Sequence, residues 1–159
     1  MDLGVQILDL AWWLLGFPRV HSVVATMYQP PGMEVEDSAT VNLRLNNGGC
    51  ISLSVSWSLV ANRDSHSLRI LGTRGSGTIA PLSVFKEFET GMTDVTPQLP
   101  VHRENLYTAS YRNELEDFLA AARGSGQPLS RPTEQVELMR LVALAYQAAA
   151  EKREVDVGG

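Results

Sequence analysis

Cysteine, histidine and clustered basic residues are all scarce in this chain. Cys50 is the one cysteine among 159 residues, which excludes an internal disulfide framework and suits a reducing compartment. The three histidines, His21, His66 and His102, are widely scattered and match no metal-ligand spacing. The 13 Lys and Arg are outnumbered by 18 Asp and Glu and are not concentrated in any window, so the electrostatic footprint of nucleic-acid binding is missing. We therefore expect neither a metal nor a nucleic-acid partner.

The sequence also has no apolar run long enough to cross a membrane. Its apolar start ends in Gly16-Phe17-Pro18 and contains Asp2 and Asp9, whereas a span needs roughly 20 apolar residues. The same segment lacks the basic region and the small-residue cleavage site of a signal peptide. These features predict a cytoplasmic protein without a membrane partner.

A dinucleotide-binding fingerprint is missing as well. No predicted strand is followed by G-x-G-x-x-G and then a helix, which is the arrangement that cradles a pyrophosphate. The segment Gly72 to Gly77 spells G-x-x-G-x-G between two predicted strands, and we interpret it as a turn. No NAD(P) site is therefore predicted within these residues.

What the chain does contain begins with a strongly apolar helix, predicted from Leu3 to Leu15. Asp2, Gln6 and Asp9 return to one side of it, because steps of four and three residues at about 100° each bring them together. The other positions are Leu, Val, Ile, Ala, Gly or Trp, which predicts that the helix is buried on most sides. Carboxylates in such a place usually have a partner or a task, so the polar stripe is the main functional lead.

The clearest local pattern is a β-hairpin after a first strand at Val20 to Tyr28. Ala39, Val41, Leu43 and Leu45 alternate with polar residues, and Asn46-Asn47-Gly48-Gly49 tolerates the backbone of a tight turn. The returning strand places its apolar residues on one face and a row of serines on the other; the two sets are Ile51, Leu53, Val55, Trp57 and Ser52, Ser54, Ser56, Ser58. One face is thus predicted to pack on a core.

Shorter strands and two helices complete the chain. Strands are predicted at Ser67 to Leu71, Thr78 to Ala80 and Val84 to Phe88, and a loop from Thr90 to Asn105. Helices are predicted at Tyr111 to Arg123 and from Pro132 to about Lys152, before a short strand at Glu154 to Val157. A helix, a run of strands and then two helices indicate an α+β fold with a mainly antiparallel open sheet and helices packed on one face. We predict one domain over residues 1–159.

Several of these segments resemble, in order, the glucose-fructose oxidoreductase/inositol dehydrogenase/rhizopine catabolism (Gfo/Idh/MocA) family. The start, Asp2-Leu3-Gly4-Val5-Gln6-Ile7-Leu8-Asp9 with Leu14-Leu15-Gly16 and Pro18, resembles the family helix D-x-G-x-H-x-x-D…L-x-G-x-P. Glu36-Asp37-Ser38-Ala39 precedes the hairpin, and Leu68 to Ser76 resembles the family strand and turn i-x-G-t-k-G-s. Pro128-Leu129-Ser130, the final helix and Arg153-Glu154-Val155 resemble the family's closing segment. The resemblance covers nearly the whole chain.

The resemblance implies that the chain is the C-terminal substrate-binding and oligomerisation domain of a longer enzyme. The NAD(P)-binding Rossmann domain and its Glu-Lys-Pro lysine have no counterpart here, so NAD or NADP is implied for the parent only. The isolated chain is expected to be inactive. In the family, the residues matching Asp2 and Gln6 face the substrate and the nicotinamide. Histidine is usual at the second position, and an amide such as Gln6 can hydrogen-bond a hydroxyl but cannot act as a general base.

Other roles remain open for the singled-out residues. Asp2 is equally well interpreted as a helix cap, and Asp9 as a structural residue bonded to backbone or an arginine. Trp12 and Trp13 are assigned to a core or an interface. Tyr107 and Tyr111 are candidate substrate contacts because a phenol both stacks and hydrogen-bonds. His66 and His102 are assigned to the surface, with the lining of a substrate pocket as the alternative.

Two functions follow as hypotheses. The first is the C-terminal domain of an NAD(P)-dependent oxidoreductase that acts on a sugar, polyol or related hydroxyl compound. The second is a non-catalytic module that assembles through its sheet and binds a small polyol. The serine face is either solvated or a flat surface through which the chain forms a homo-oligomer, such as a dimer.

Overall fold

A computed structural model describes residues 2–62, 65–98 and 105–158 of the chain. They form three helices and eight strands, in this order: α1 Asp2–Leu14, β1 Val20–Tyr28, β2 Ser38–Leu45, β3 Cys50–Ser56, β4 Leu68–Gly72, β5 Gly75–Ile79, β6 Ser83–Phe88, β7 Gly91–Asp94, α2 Leu106–Ala122, α3 Pro132–Glu151 and β8 Val155–Asp156. The strands build two four-stranded sheets, with orders β3-β2-β1-β8 and β4-β5-β6-β7. All of their pairings are antiparallel. The predicted α+β class is confirmed.

These helices and strands form two compact units. The first contains residues up to 62 and those from 132 onward, and the second spans Ser65–Arg131. The prediction that the whole chain is one domain stays a prediction.

The first unit is a sheet with one packed face and one open face. Alternate residues of β2 are buried, and the intervening ones are exposed. Helix α3 packs against β1, while α1 packs against β3 and α3. Among the described residues the most deeply buried large side chains come from the two helices and the two central strands: Leu8, Leu138, Leu141, Val23, Val41 and Leu43. The hairpin alternation alone therefore identifies the face that the helices cover.

The β2–β3 turn forms where its sequence predicts it. Gly48 has φ of +85°, and the Asn47 side chain accepts a hydrogen bond from the Gly49 N–H at 3.0 Å. Leu45 N–H donates to Gly49 O at 2.9 Å. These contacts set the register in which Val41 opposes Leu53 and Thr40 opposes Ser54.

The second unit differs from the sequence prediction in two places. The β4–β5 turn is only Thr73 and Arg74, because Gly72, Gly75 and Gly77 lie within strands. In addition, β7 occupies part of the predicted loop and pairs with β6. Its four residues are all exposed, so they show no alternation that could have revealed a strand.

Helix α2 begins five residues earlier than predicted. Asn105 caps it, since its side-chain oxygen accepts the Tyr107 N–H at 2.9 Å. The start was missed because the apolar period was followed from Tyr111, while the N-cap asparagine is itself the usual signal of a helix start.

Candidate functional site

Helix α1 presents Asp2 and Gln6 on its exposed side. Both side chains are exposed, whereas Gly4, Leu8 and Trp12 on the opposite side are buried. The i, i+4 spacing therefore places a carboxylate and an amide side by side, as the sequence predicted. Asp2 lies in the first turn of the helix, where a negative charge also complements the helix dipole.

The prediction that α1 is buried on most sides is wrong for this chain. Leu10, Trp13, Leu14 and Leu15 are all exposed by at least a third. The physical reason is that β3 and α3 cover only one side of the helix. An apolar strip is left uncovered next to the two polar side chains.

Asp9 serves as a link between two helices. Its Oδ1 accepts a hydrogen bond from Gln135 Nε2 of α3 at 3.3 Å. The structural interpretation of Asp9 agrees with this contact, although the partner is an amide and not backbone or an arginine. Asp9 thus has a packing role separate from Asp2 and Gln6.

Trp12 and Trp13 lie in different surroundings. Trp12 is buried, donates its Nε1–H to Pro18 O at 2.8 Å and packs edge-on against Phe17 with ring centroids 5.1 Å apart. Trp13 is 43% exposed. Trp12 therefore belongs to the core and closes the C-terminal end of α1.

A shallow cleft opens at the N-terminal end of α1, and its cavity volume of about 10 Å³ leaves room for about one water molecule. Its lining comes from α1, the segment before β2, and the end of β3: Asp2, Leu3, Gly4, Glu36, Asp37, Ser38, Ala39, Val55 and Trp57. The lining includes three carboxylates and no Lys or Arg. Of the residues that the sequence predicted for the site, Asp2 lines this cleft, whereas Gln6, Tyr107 and Tyr111 do not.

The segment beside the cleft is held firmly by Asp37. Its N–H donates to Tyr28 O at 2.9 Å, and its carbonyl accepts the Trp57 N–H at 3.0 Å. Ser58 Oγ donates to the Asp37 carboxylate at 2.5 Å. Asp37 is one of two buried polar residues in the described part of the chain, and its contacts tie the ends of β1 and β3 together.

Glu36 and Tyr146 form a long-range pair next to this segment. The Tyr146 hydroxyl donates to Glu36 Oε1 at 2.7 Å. Burial, together with the hydrogen bond to Glu36 and its charge, raises the pKa of Tyr146 to about 12. Burial alone would raise the pKa of Glu36, but hydrogen bonds, including the one from Tyr146, lower it below its usual value. At neutral pH the pair is a phenol donating to a carboxylate.

Trp57 does not occupy the core position that strand alternation predicts. β3 ends at Ser56, and Trp57 is 62% exposed. Its N–H bonds to Asp37 outside the ladder, and the buried layer thins from Leu53 to the half-buried Val55. The exposed Trp57 and the Glu36–Tyr146 pair were not recognised from the sequence, in which only the Glu36-Asp37 motif hinted at them.

Tyr107 and Tyr111 contact each other on α2, in the second unit. Their hydroxyl oxygens are 3.2 Å apart and their ring centroids 5.0 Å apart. The hydrogen bond and charge of Tyr107, followed by smaller effects, raise the pKa of Tyr111. Both rings are exposed, so they can contact a ligand, and their assignment to the substrate stays a prediction.

The remaining candidate residues, as far as the structure describes them, form no second cluster of functional side chains. His66 is exposed in the segment before β4, and His102 lies outside the described residues. In the described ranges no group of three His, Cys, Asp or Glu is arranged to hold a metal ion, and none of the described helices is long and apolar enough to cross a bilayer.

The described residues do not fit a dinucleotide. The glycines from 72 to 77 belong to the β4–β5 hairpin, in which Gly72 pairs with Gly75. Across residues 2–62, 65–98 and 105–158, no strand leads through a glycine-rich turn into a helix. No step of a reaction is therefore assigned to a nicotinamide held by these residues.

The fold and the α1 motif together define a class of protein. A family described as "Oxidoreductase family, C-terminal alpha/beta domain", the Gfo/Idh/MocA C-terminal domain, matches residues 1–157. The chain belongs to this family.

Its relatives include sugar dehydrogenases. The chain is 24% identical to D-glucoside 3-dehydrogenase of Escherichia coli K12 over 173 residues and 27% identical to D-apiose dehydrogenase of Rhizobium rhizogenes over 170 residues. Each match covers 99% of the chain and 48% of the relative. The chain thus spans about half the length of the curated relatives it matches.

Solved structures show the same architecture. An oxidoreductase from Agrobacterium radiobacter in complex with NAD+, L-tartaric acid and magnesium matches with a TM-score of 0.77 and 25% identity, over 99% of this chain and 48% of its own. Levoglucosan dehydrogenase in complex with NADH and levoglucosan matches with a TM-score of 0.80 and 18% identity, over 98% of this chain and 49% of its own. The second likeness supports the fold alone.

Proposed function

We propose that this chain is the substrate-binding and assembly half of an NAD(P)-dependent oxidoreductase acting on a sugar, polyol or related hydroxyl compound. The observation that carries the proposal is the exposed Asp2–Gln6 pair on α1, in a chain whose relatives of twice its length are sugar dehydrogenases. The exposed apolar strip beside the pair supports it, since it offers a surface for the other half of a longer protein.

The two side chains divide the work of holding a substrate hydroxyl. The Asp2 carboxylate accepts a hydrogen bond from the hydroxyl and, as the ionisable member, takes up its proton when the carbon is oxidised. Gln6 both donates and accepts hydrogen bonds, so it orients the same or a neighbouring hydroxyl without changing charge. The hydride acceptor is NAD(P), which we assign to the rest of the parent protein.

The alternative is a non-catalytic module that binds a polyol and assembles through its sheet. Gln6 favours it, because the family's titrating histidine is absent from that position. The two functions differ in one property: only the enzyme reduces nicotinamide when a sugar is added.

The test uses the complete gene product that contains this chain, with NAD or NADP and a panel of sugars and polyols. We expect a substrate-dependent rise in nicotinamide absorbance, and a loss of about a hundredfold or more in kcat/KM for Asp2→Asn. Asp9→Asn is the matched control on the same helix; an amide oxygen still accepts the Gln135 bond, so kcat/KM stays near wild type. No turnover with any panel member, or an Asp2→Asn variant as active as Asp9→Asn, contradicts the enzyme.

A further inference from the structure

The turn between β2 and β3 contains the one Asn-Gly step of the sequence, Asn47-Gly48. Both residues are exposed at the tip of the hairpin. A Cβ built at Gly48 would meet no described atom within 4 Å beyond its chain neighbours, so the backbone is open to solvent on that side. Asparagine is a chemically labile residue, and glycine has no side chain to shield its own backbone nitrogen. The turn therefore joins a labile amide to an accessible neighbour.

The chemistry open to this step is an intramolecular acyl transfer. When the Gly48 N–H gives up its proton to a base in solvent, the nitrogen can attack Asn47 Cγ, and the new N–Cγ bond closes a cyclic imide. The Cγ–Nδ2 bond breaks, and the amide nitrogen takes up a proton and leaves as ammonia. Water then opens the ring at either carbonyl, which gives aspartate or isoaspartate. Water is the single co-reactant, and nothing is oxidised or reduced.

Two hydrogen bonds of the folded turn engage the reacting groups. Gly48 N–H donates to Leu45 O at 3.0 Å, so the attacking nitrogen is directed across the turn. Asn47 Oδ1 accepts the Gly49 N–H at 3.0 Å, which fixes the carboxamide. The Asn47 bond is exposed, and exposed turns open locally at little cost in free energy. The reaction therefore requires opening of the turn and does not require unfolding of the chain.

The two products differ in their effect on the first sheet. Aspartate keeps an oxygen that accepts the Gly49 N–H, so the turn is retained with an added negative charge. Isoaspartate routes the backbone through the side chain and inserts a methylene into the turn. The extra atom disturbs the register in which Thr40 opposes Ser54. Formation of isoaspartate would therefore alter the open face of this sheet.

We propose that Asn47 is a self-modification site, converted to aspartate and isoaspartate through attack by the Gly48 nitrogen at a rate set by opening of the β2–β3 turn. The site needs the hairpin and water alone, so this inference is independent of the proposed function. Leu45 O and the Gly49 N–H are the restraints that slow the reaction in the folded chain.

The first test follows the 159-residue chain during incubation in mildly alkaline buffer, with peptide mass spectrometry as the readout. Asn46 is the internal control, because it is exposed in the same turn but is followed by Asn47 and not by glycine. We expect deamidation at Asn47, with isoaspartate among the products, and at least about tenfold less at Asn46. Equal deamidation at both residues, or aspartate without isoaspartate at Asn47, overturns the proposal.

The second test repeats the incubation in fresh urea with the unfolded wild type and with Gly48→Ala. The folded wild type is expected to react about two- to tenfold more slowly than the unfolded one, a factor that corresponds to the net strength of a single hydrogen bond. In urea, Gly48→Ala is expected to slow the reaction at least about tenfold, whether or not that variant folds in buffer. A folded chain that reacts as fast as the unfolded one overturns control by the turn. An alanine variant as fast as the wild type overturns attack by the Gly48 nitrogen.

Discussion

The side chain at position 6 sets the chemistry available to the exposed face of α1. An amide there hydrogen-bonds but does not titrate, so Asp2 is the ionisable member of the pair. The nearby Glu36–Tyr146 pair adds a second carboxylate, and its phenol stays protonated over the physiological range.

Tyr146→Phe tests the structural contribution of that pair. Removing the hydroxyl leaves the ring in place and deletes a hydrogen bond to a carboxylate, so we expect a loss of about 1 kcal/mol in the free energy of unfolding at neutral pH. Urea unfolding of the 159-residue chain measures it. Equal stability of the two proteins at neutral pH would show that the bond adds nothing to folding.

The same two proteins differ in pH dependence. The fold raises the pKa of Tyr146 from 10.0 to about 12, so this stabilisation is fully present below pH 10 and disappears as pH rises through 12. The wild type is therefore expected to lose stability more steeply than Tyr146→Phe over that interval. Parallel pH curves would contradict the assignment.

How much of the site could be predicted depends on whether its residues are near in sequence. Asp2 and Gln6 share a helix face, so spacing alone brings them together. The bond between Glu36 and Tyr146 joins residues 110 positions apart, and no local pattern encodes it. The alternating pattern predicted Trp57 in the core, because such a pattern does not show where a strand ends.

At the scale of elements, the strands that alternate clearly were predicted, and β7, which shows no alternation, was missed. β2 and β3 each show a buried face and an exposed face. All four residues of β7 are exposed, so its sequence has no alternation of apolar and polar residues that would indicate a strand. The glycines near β5 suggested a long turn. Gly75 instead lies in β5, at a point where the backbone of β6 passes too close to leave room for a side chain.

Gly75→Ala tests this close approach. A Cβ at Gly75 would stand 2.5 Å from Phe85 O, whereas one at Gly77 on the same strand would be 3.7 Å from Ser83 O. We expect Gly75→Ala to destabilise the sheet of the second unit by about 1–3 kcal/mol, and Gly77→Ala to be close to neutral. Amide hydrogen exchange of β5 and β6 reports the difference; equal protection in both variants would mean that the strands adjust freely.

At the scale of the whole molecule, two exposed surfaces of the first unit bear on assembly. One is the apolar strip on α1, which under the proposed function contacts a nucleotide-binding domain. The other is the open face of the first sheet. Its exposed residues in the middle of β2 and β3 are small and polar (Thr40, Asn42, Ser52, Ser54 and Ser56), while Arg44 and Cys50 lie at the turn end and Val24 and Tyr28 on β1. Ser52 Oγ donates to Asn42 Oδ1 at 2.8 Å, so part of this face is satisfied within one chain.

We propose that this open face joins two copies of the chain. The small side chains in the middle of β2 and β3 leave that part of the sheet flat, which allows a second sheet to approach it closely, and a two-fold axis brings the same residues together from both copies. A solvated face is the competing explanation. It predicts that a bulky charge in the centre has no effect on assembly.

Ser54→Arg decides between the two. In a two-fold dimer the substitution brings guanidinium groups together at a face centre lined by Thr, Asn and Ser, so we expect the dissociation constant to rise at least about tenfold in sedimentation experiments. Ser65→Arg, at an exposed position outside this sheet, adds the same charge and is expected to leave assembly unchanged. If the wild type sediments as a monomer, or if both arginine variants assemble like it, the face is solvated. If only Ser54→Arg dissociates, the open face of the first sheet is the interface.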